Sequence, residues 1–319
     1  MSLPAPSLTA GTVEELAKQS GLEPPEIAHL IERAVVDAYR RFVSDDAGVH
    51  ARVDLETGSY EIYRRDEGGG ETRLALQGEF VRQAVHAAKQ AVSERLRERE
   101  KDRVMLEASR QHGQLIDTIV ERSVGSVWYL RAGDMTAILP PEEQMPGERL
   151  RLHQHLKVVV LDARRRFHDA VVVVSRAHPL LLRLLLEQEV PEVPRGQVIV
   201  RGLVREAGRR SKIAVEAGAE GIDPQGACIG PKGIRHRAIT SALGEEQVQI
   251  IAWSADEAEY VGNALAPARV SRVELDAEAR TATVTVAPDQ LSLAIGRGGE
   301  NARLAARLTG WRIDISAGG

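Results

Sequence analysis

The chain has 319 residues, is 43% hydrophobic and 28% charged, and carries 42 Lys and Arg against 46 Asp and Glu, a net charge of −4. That length is too great for one hydrophobic core and predicts about two to four domains of a soluble globular protein. So balanced a charge neither favours nor excludes nucleic acid, and the lone Cys228 excludes an intramolecular disulfide or a multi-cysteine zinc site and suits a reducing cytoplasm.

The start, MSLPAPSLTAG, has no basic or apolar signal region, so no secretory signal is expected. Thr12, with Glu15 three residues on, predicts a capped helix. PPEIAHLIERAVVDAYRRF then places Ile27, Leu30, Ile31, Ala34, Val35, Ala38 and Phe42 on one helical stripe. VHARVDLETGSYEIYRR alternates about Thr57-Gly58 and predicts a β-hairpin; RRDEGGGET is expected to be a loop. After Gly78 comes a long helix whose charged second half suits a solvated connector. Residues 1–100 hold 13 Lys and Arg against 18 Asp and Glu, a balance that fits protein binding better than phosphate binding.

From 113 to 177, short β-branched runs separated by Gly, Pro and charged turns predict five strands and a small OB-type barrel. Trp128 and Tyr129 are adjacent on its second strand, where alternation exposes only one of them. The apolar stretch DAVVVVSRAHPLLLRLLLEQ is interrupted by Arg176, His178, Pro179 and Arg183, so no membrane span is expected.

The remainder reads as one unit twice: helix, two strands, short helix, glycine loop, helix, strand. In the first copy the short helix is DPQGACI, with Asp223 as N-cap, followed by GPKG; in the second, Asp289 is expected to cap QLSLAI, followed by GRGG. Gly230 and Gly296, Gly233 and Gly299, Ile229 and Ile295, and Gly244 and Gly310 are each 66 positions apart. A tandem duplication explains this spacing.

A loop between two helices faces the orphan N–H groups of the second helix, which attract anions. Glycines let a sugar–phosphate chain approach the backbone, and Lys232 and Arg297 add charge. This is the G-x-x-G clamp with which KH modules hold single-stranded RNA. One such pattern is weak evidence; two in matching context predict RNA binding. The candidate residues are Gly230, Pro231, Lys232, Gly233, Arg235 and Arg237 in the first copy, and Gly296, Arg297, Gly298, Gly299, Asn301 and Arg303 in the second. Arg235, Arg237, Asn301 and Arg303 are expected off the core stripe formed by His236, Ile239 and Leu243 and, in the second copy, by Ala302, Ala305 and Leu308. REAGRRSK brings Arg205, Arg209, Arg210 and Lys212 together and is expected to add a second phosphate contact beside the first clamp.

GIDPQGACIGPKG, LSLAIGRGGENARLAARLTGWRIDI and LEQEVPEVPRGQVIVRGLVREAGRRSKIAV resemble the NusA family of bacterial transcription factors, as do AVVVVSRAHPLLLRLL in the barrel and GLEPPEIAHLIERAVVDAYRR near the start. The resemblance implies a multidomain α+β protein: an N-terminal α/β domain with a long connecting helix over 1–112, an OB-fold barrel of the ribosomal S-one type over 113–177, and two prokaryotic-type (type II) KH domains over 178–253 and 254–319. It implies a non-enzymatic factor that binds RNA polymerase and nascent single-stranded RNA, modulates pausing, termination and antitermination, and works with other Nus-type factors in the cytoplasm. The family's acidic C-terminal repeats have no counterpart here, so their functions are not expected. Two residues depart from the family pattern: Glu300, where Gln is common, and His236, where an apolar residue is usual.

RNA-processing enzymes also carry such modules, but no G-x-x-x-x-G-K-[ST], H-E-x-x-H or G-x-S-x-G motif is present. His153 and His155 amount at most to half a metal site, and no metal or cofactor is expected. An RNA binder without polymerase contact is the other reading, and co-purification with polymerase separates the two.

Overall fold

The computed structural model describes residues 17, 21–43, 48–76, 78–133, 135–165 and 169–318. The chain forms two units, 1–103 with 165–170, and 104–164 with 171–319. The helix expected after Thr12 lies outside the described residues except for Ala17, which is helical.

In the first unit, α1 (Pro24–Phe42) starts with two prolines, whose missing N–H groups cost nothing in a first helical turn. It buries Ile27, Ile31, Ala34, Val35 and Ala38, as the stripe predicts, whereas Leu30 is half-buried and Phe42, at the helix end, is exposed. The strands β1 (Val49–Val53), β2 (Tyr60–Arg65) and β3 (Glu71–Arg73) form an antiparallel sheet. The expected loop holds over 66–70, but its two ends belong to β2 and β3. Asp66 Oδ1 accepts the Gly70 N–H at 2.7 Å and turns the chain back, and Glu71 pairs with Arg52 and Arg65. The long helix α2 (Gly78–Arg110) buries Phe80, Ala84, Ala88 and Val92 at four-residue spacing. Its second half is largely exposed, yet Val104 and Ala108 are buried, so it is not wholly solvated.

In the second unit, β4 (Leu115–Val124), β5 (Val127–Ala132), β6 (Met135–Leu139), β7 (His155–Arg165) and β8 (Ala170–Ser175) close a barrel in the order β4-β5-β6-β8-β7. Every residue of β8 is buried, which accounts for its unbroken apolar run.

The two repeats follow. The first has α3 (Pro179–Glu189), β9 (Val198–Glu206), β10 (Arg210–Ala217), α4 (Pro224–Ile229), α5 (Ile234–Ala242) and β11 (Gln247–Ala252). The second has α6 (Glu257–Ala264), β12 (Val270–Asp276), β13 (Thr281–Val286), α7 (Leu291–Ile295), α8 (Glu300–Thr309) and β14 (Arg312–Ala317). In each, an antiparallel hairpin is joined by a parallel third strand after the helix pair. Asp223 caps α4 through a bond from Gln225 N–H. Asp289 does not cap α7: it lies inside a 3₁₀ turn, Pro288–Gln290, and receives the Gln290 side-chain amide instead.

Buried polar groups join these parts. Arg176 is 1% exposed, pairs with Glu148, and donates to the carbonyls of Lys157 at 2.9 Å and Ala242 at 3.0 Å, linking the barrel to the end of α5. Lys212 Nζ donates to Gln249 Oε1 at 2.6 Å and across to Ala266 O in the second repeat at 2.8 Å.

Candidate nucleic-acid interface

The two glycine loops share one backbone. Gly230 and Gly296 have φ/ψ of 74/170° and 76/170°; Gly233 and Gly299 are left-handed, at φ 73° and 75°. The third loop position is left-handed in both: Lys232 at φ 53° and Gly298 at φ 61°. Lys232 therefore aligns with Gly298, and Arg297 with Pro231. Each loop holds one cation, but on a different residue.

A Cβ on Gly230 would lie 2.7 Å from Arg235 Cγ, and one on Gly296 2.8 Å from Asn301 Cβ. These two side chains fold over the first glycine of their loops, which corrects their expected place on an exposed RNA-facing surface. Arg235 Nη1 donates to Ala227 O at 2.7 Å and pairs with Glu192. Asn301 is fully buried, and its Nδ2 donates to the carbonyls of Leu265, Ala294 and Leu293 at 2.9, 3.0 and 3.3 Å. Both tie the helix before the loop to the helix after it.

Arg303 is also engaged, in a bidentate bond to Glu206 of the first repeat at 2.8 Å for each arm. That bond holds the Glu206 carboxyl below its ordinary value. Lys232, Arg237 and Arg297 are exposed and make no ion pair among the described residues. Neither α5 nor α8 has a side-chain cap at its glycine N-cap; the N–H groups of Gly233 and Ile234, and of Gly299 and Glu300, donate to carbonyls of their own loops. Exposed Ile229 and Ile295 stand at matching positions just before the loops and offer apolar surface next to each cationic one.

The REAGRRSK hairpin differs from expectation. Arg205 is buried in a bidentate pair with Glu246, and Lys212 is buried, so neither faces solvent. Arg210 lies 3.9 Å from Glu300, which puts the hairpin beside the second loop. His236 is half-buried, its Nε2 2.7 Å from Val248 O. Trp311 is core at 2% exposure, whereas Trp253 is half-buried under Arg201, 4.6 Å from its ring centroid. Trp128 and Tyr129 are both half-buried, and Tyr129 packs on the barrel core under Arg122, so the alternation argument does not separate them.

No group of three or more metal-ligating side chains occurs among the described residues, and none of their helices is long and apolar enough to cross a membrane. Burial pushes the Cys228 thiol up to about 11, so it is an inert core group. The side chains that sequence reasoning missed are the linkers: Glu206, Gln225, Glu246 and Asn263. Their partners lie far along the chain, and no local pattern marks them.

The chain is similar to known families over most of its length. Residues 10–67 match the NusA N-terminal domain, 176–253 the NusA-like first KH domain and 257–318 the NusA-like second KH domain. It is 38% identical to the transcription termination/antitermination protein NusA of Bacillus subtilis, over 95% of this chain and 88% of that one. Identity to the Mycobacterium tuberculosis H37Rv protein of the same name is 38%, covering 92% and 89% of the two chains. For the Thermus thermophilus protein of that name it is 44%, covering 74% and 61%.

Proposed function

Since this chain belongs to the NusA family, we propose that it is a non-enzymatic transcription elongation factor that binds nascent single-stranded RNA and RNA polymerase and modulates pausing, termination and antitermination. The observation that carries the RNA half of this reading is the pair of superposable glycine loops. Each precedes a helix without a side-chain cap, and Lys232, Arg237 and Arg297 are exposed beside them. Phosphates pair with these cations, while the glycines admit the backbone. Pro231, Gly298 and the four framing glycines shape the clamp. Arg235 and Asn301 hold its angle.

The polymerase half rests on the family. Residues 1–112 serve as the polymerase-docking domain, 113–177 as the RNA-binding barrel, and 178–253 and 254–319 as the two KH domains. The factor acts in the cytoplasm, alongside other Nus-type factors. Cross-linking on a paused elongation complex tests both halves. Cross-links are expected from the glycine loops to RNA and from residues 1–110 to polymerase. Deleting 1–110 is expected to abolish co-purification with polymerase while RNA binding persists; retained co-purification overturns the docking assignment.

A further inference from the structure

We propose that Arg209, Arg303 and Arg307 form a phosphate site for single-stranded RNA at the seam between the two repeats, and that Glu206 occupies it until a backbone phosphate takes its place. This rests on the RNA-binding reading of the second glycine loop, at whose end α8 begins.

Both repeats build the site. Glu206 ends β9 in the first repeat, and Arg209 follows in the same hairpin tip. Arg303 and Arg307 are one turn apart on α8 of the second repeat, so they share one side of that helix. Arg303 gives Nε and Nη2 to the two carboxylate oxygens at 2.8 Å each, and Arg307 Nη1 lies 3.8 Å from Oε1. The Arg303 bond first, then the charges of Arg307 and Arg209, hold the carboxyl below its ordinary value. Three guanidinium groups thus act on one carboxylate, and positive charge remains in excess. A site of this charge suits phosphate.

The cations face outward. The Arg303 and Arg307 side chains are 48% and 52% exposed, against 17% for Glu206, and Arg209 is exposed as well. Arg303 Nη1 makes no bond among the described residues. An incoming phosphate therefore meets the arginines before the carboxylate. The guanidinium fork that fits a carboxylate also fits a phosphate, and an ion pair half in water is weak enough to exchange. The seam survives the exchange because other contacts hold it. Leu308 Cδ1 lies 3.0 Å from where Gly202 lacks a Cβ, and Lys212 Nζ donates to Ala266 O at 2.8 Å. Arg303 stands one turn into α8 from Gly299, the last glycine of the loop, so a strand clamped there passes close by. Each phosphate that enters displaces the chain's own carboxylate, which keeps affinity below that of the same arginines left free.

Glu206→Gln gives the test, since it keeps the side chain's shape and removes the competing charge. Fluorescence anisotropy with a single-stranded RNA of mixed sequence is expected to show binding tighter by about two- to fivefold, the range of exposed charge pairs. The gain is expected to vanish when Arg303 and Arg307 are both replaced by alanine, because a competitor matters only while its cations remain. Arg307→Ala leaves the bidentate Arg303 bond in place. It is expected to weaken binding and to lower the salt slope by about 0.7, the share of one phosphate contact on a single strand. Three results each overturn the site: Glu206→Gln binding RNA no more tightly, a gain that persists without both arginines, or Arg307→Ala leaving affinity and slope unchanged. An Arg297→Asp variant run in parallel separates this site from the loop. If it binds RNA as tightly as the original chain, the second loop is no RNA contact and the site falls with it. If it binds weakly while the seam variants behave as the original, only the seam site is overturned.

Discussion

Arg235 and Asn301, 66 residues apart, make the same bond: each donates to the backbone carbonyl eight residues earlier, Ala227 O at 2.7 Å and Leu293 O at 3.3 Å. Two unlike side chains thus perform one task in the two repeats. Each fastens the helix before the glycine loop to the helix after it, and each lies where the loop's first glycine has no Cβ.

Asn301→Ala leaves buried carbonyls without their donor, at about 1–3 kcal/mol. Urea unfolding is expected to show that loss. Arg235→Ala is expected to weaken RNA binding with no change in salt slope, because Arg235 shapes the loop without meeting phosphate. A shallower slope assigns Arg235 a direct phosphate contact.

Lys232 combines charge with a left-handed backbone that costs a non-glycine residue about 1–2 kcal/mol. Lys232→Gly, copying Gly298, is therefore expected to raise stability while lowering RNA affinity. It removes one phosphate contact, so the salt slope for single strands is expected to fall by about 0.7. Lys232→Asp is expected to weaken binding further. Equal affinity for all three proteins in fluorescence anisotropy removes Lys232 from the interface.

Glu300 stands at the start of α8, 3.9 Å from Arg210. Glu300→Gln removes a negative charge beside the second loop and the carboxylate facing Arg210, whose Nη2 stays bonded to Gln247 Oε1. It is expected to tighten RNA binding by about 0.2–1 kcal/mol, most clearly at low salt, the range of exposed charge pairs. In the Arg210→Ala background the gain is expected to shrink. A loss of affinity shows that the carboxylate makes a favourable contact.

Burial, with the Arg210 charge adding to it, pushes the Lys212 ammonium down to about 7. Between that value and its ordinary 10.5 the unfolded chain binds the extra proton, so this group makes stability rise with pH there. Below about 7 the lysine is charged in both states and the burial penalty is fully present. The useful window is roughly pH 7–9, because Cys228, raised to about 11, makes unfolding more favourable once free thiols ionise. Denaturant unfolding is expected to show a positive slope in that window that Lys212→Met removes. The same slope in both proteins assigns it to other groups.

The apolar stripe of α1, the hairpin about Thr57-Gly58, the five barrel strands and the duplicated glycine loops were legible because each is written within a short stretch. Periodicity and turn chemistry act between neighbours. The third strand of the first sheet and the failed cap at Asp289 were less so, since two or three residues of ion pairing or a single 3₁₀ turn leave too little pattern. The side-chain assignments at the interface were least legible. Helical spacing put Arg235 and Asn301 on an outer face, but both lie at the crossing of two helices, where outward on one is inward toward the other.

By itself the sequence determined the repeat, the loops, their charge and the family, because those depend on residue order and the conformations glycine alone adopts with ease. Tertiary structure decided which cations are free. Arg205, Arg235 and Arg303 look alike as letters to Lys232, Arg237 and Arg297, yet the first three meet Glu246, Glu192 and Glu206 at positions 41, 43 and 97 residues away. A charge is available to RNA without exchange only if folding brings no carboxylate to it, and that is fixed by contacts between residues distant in the chain.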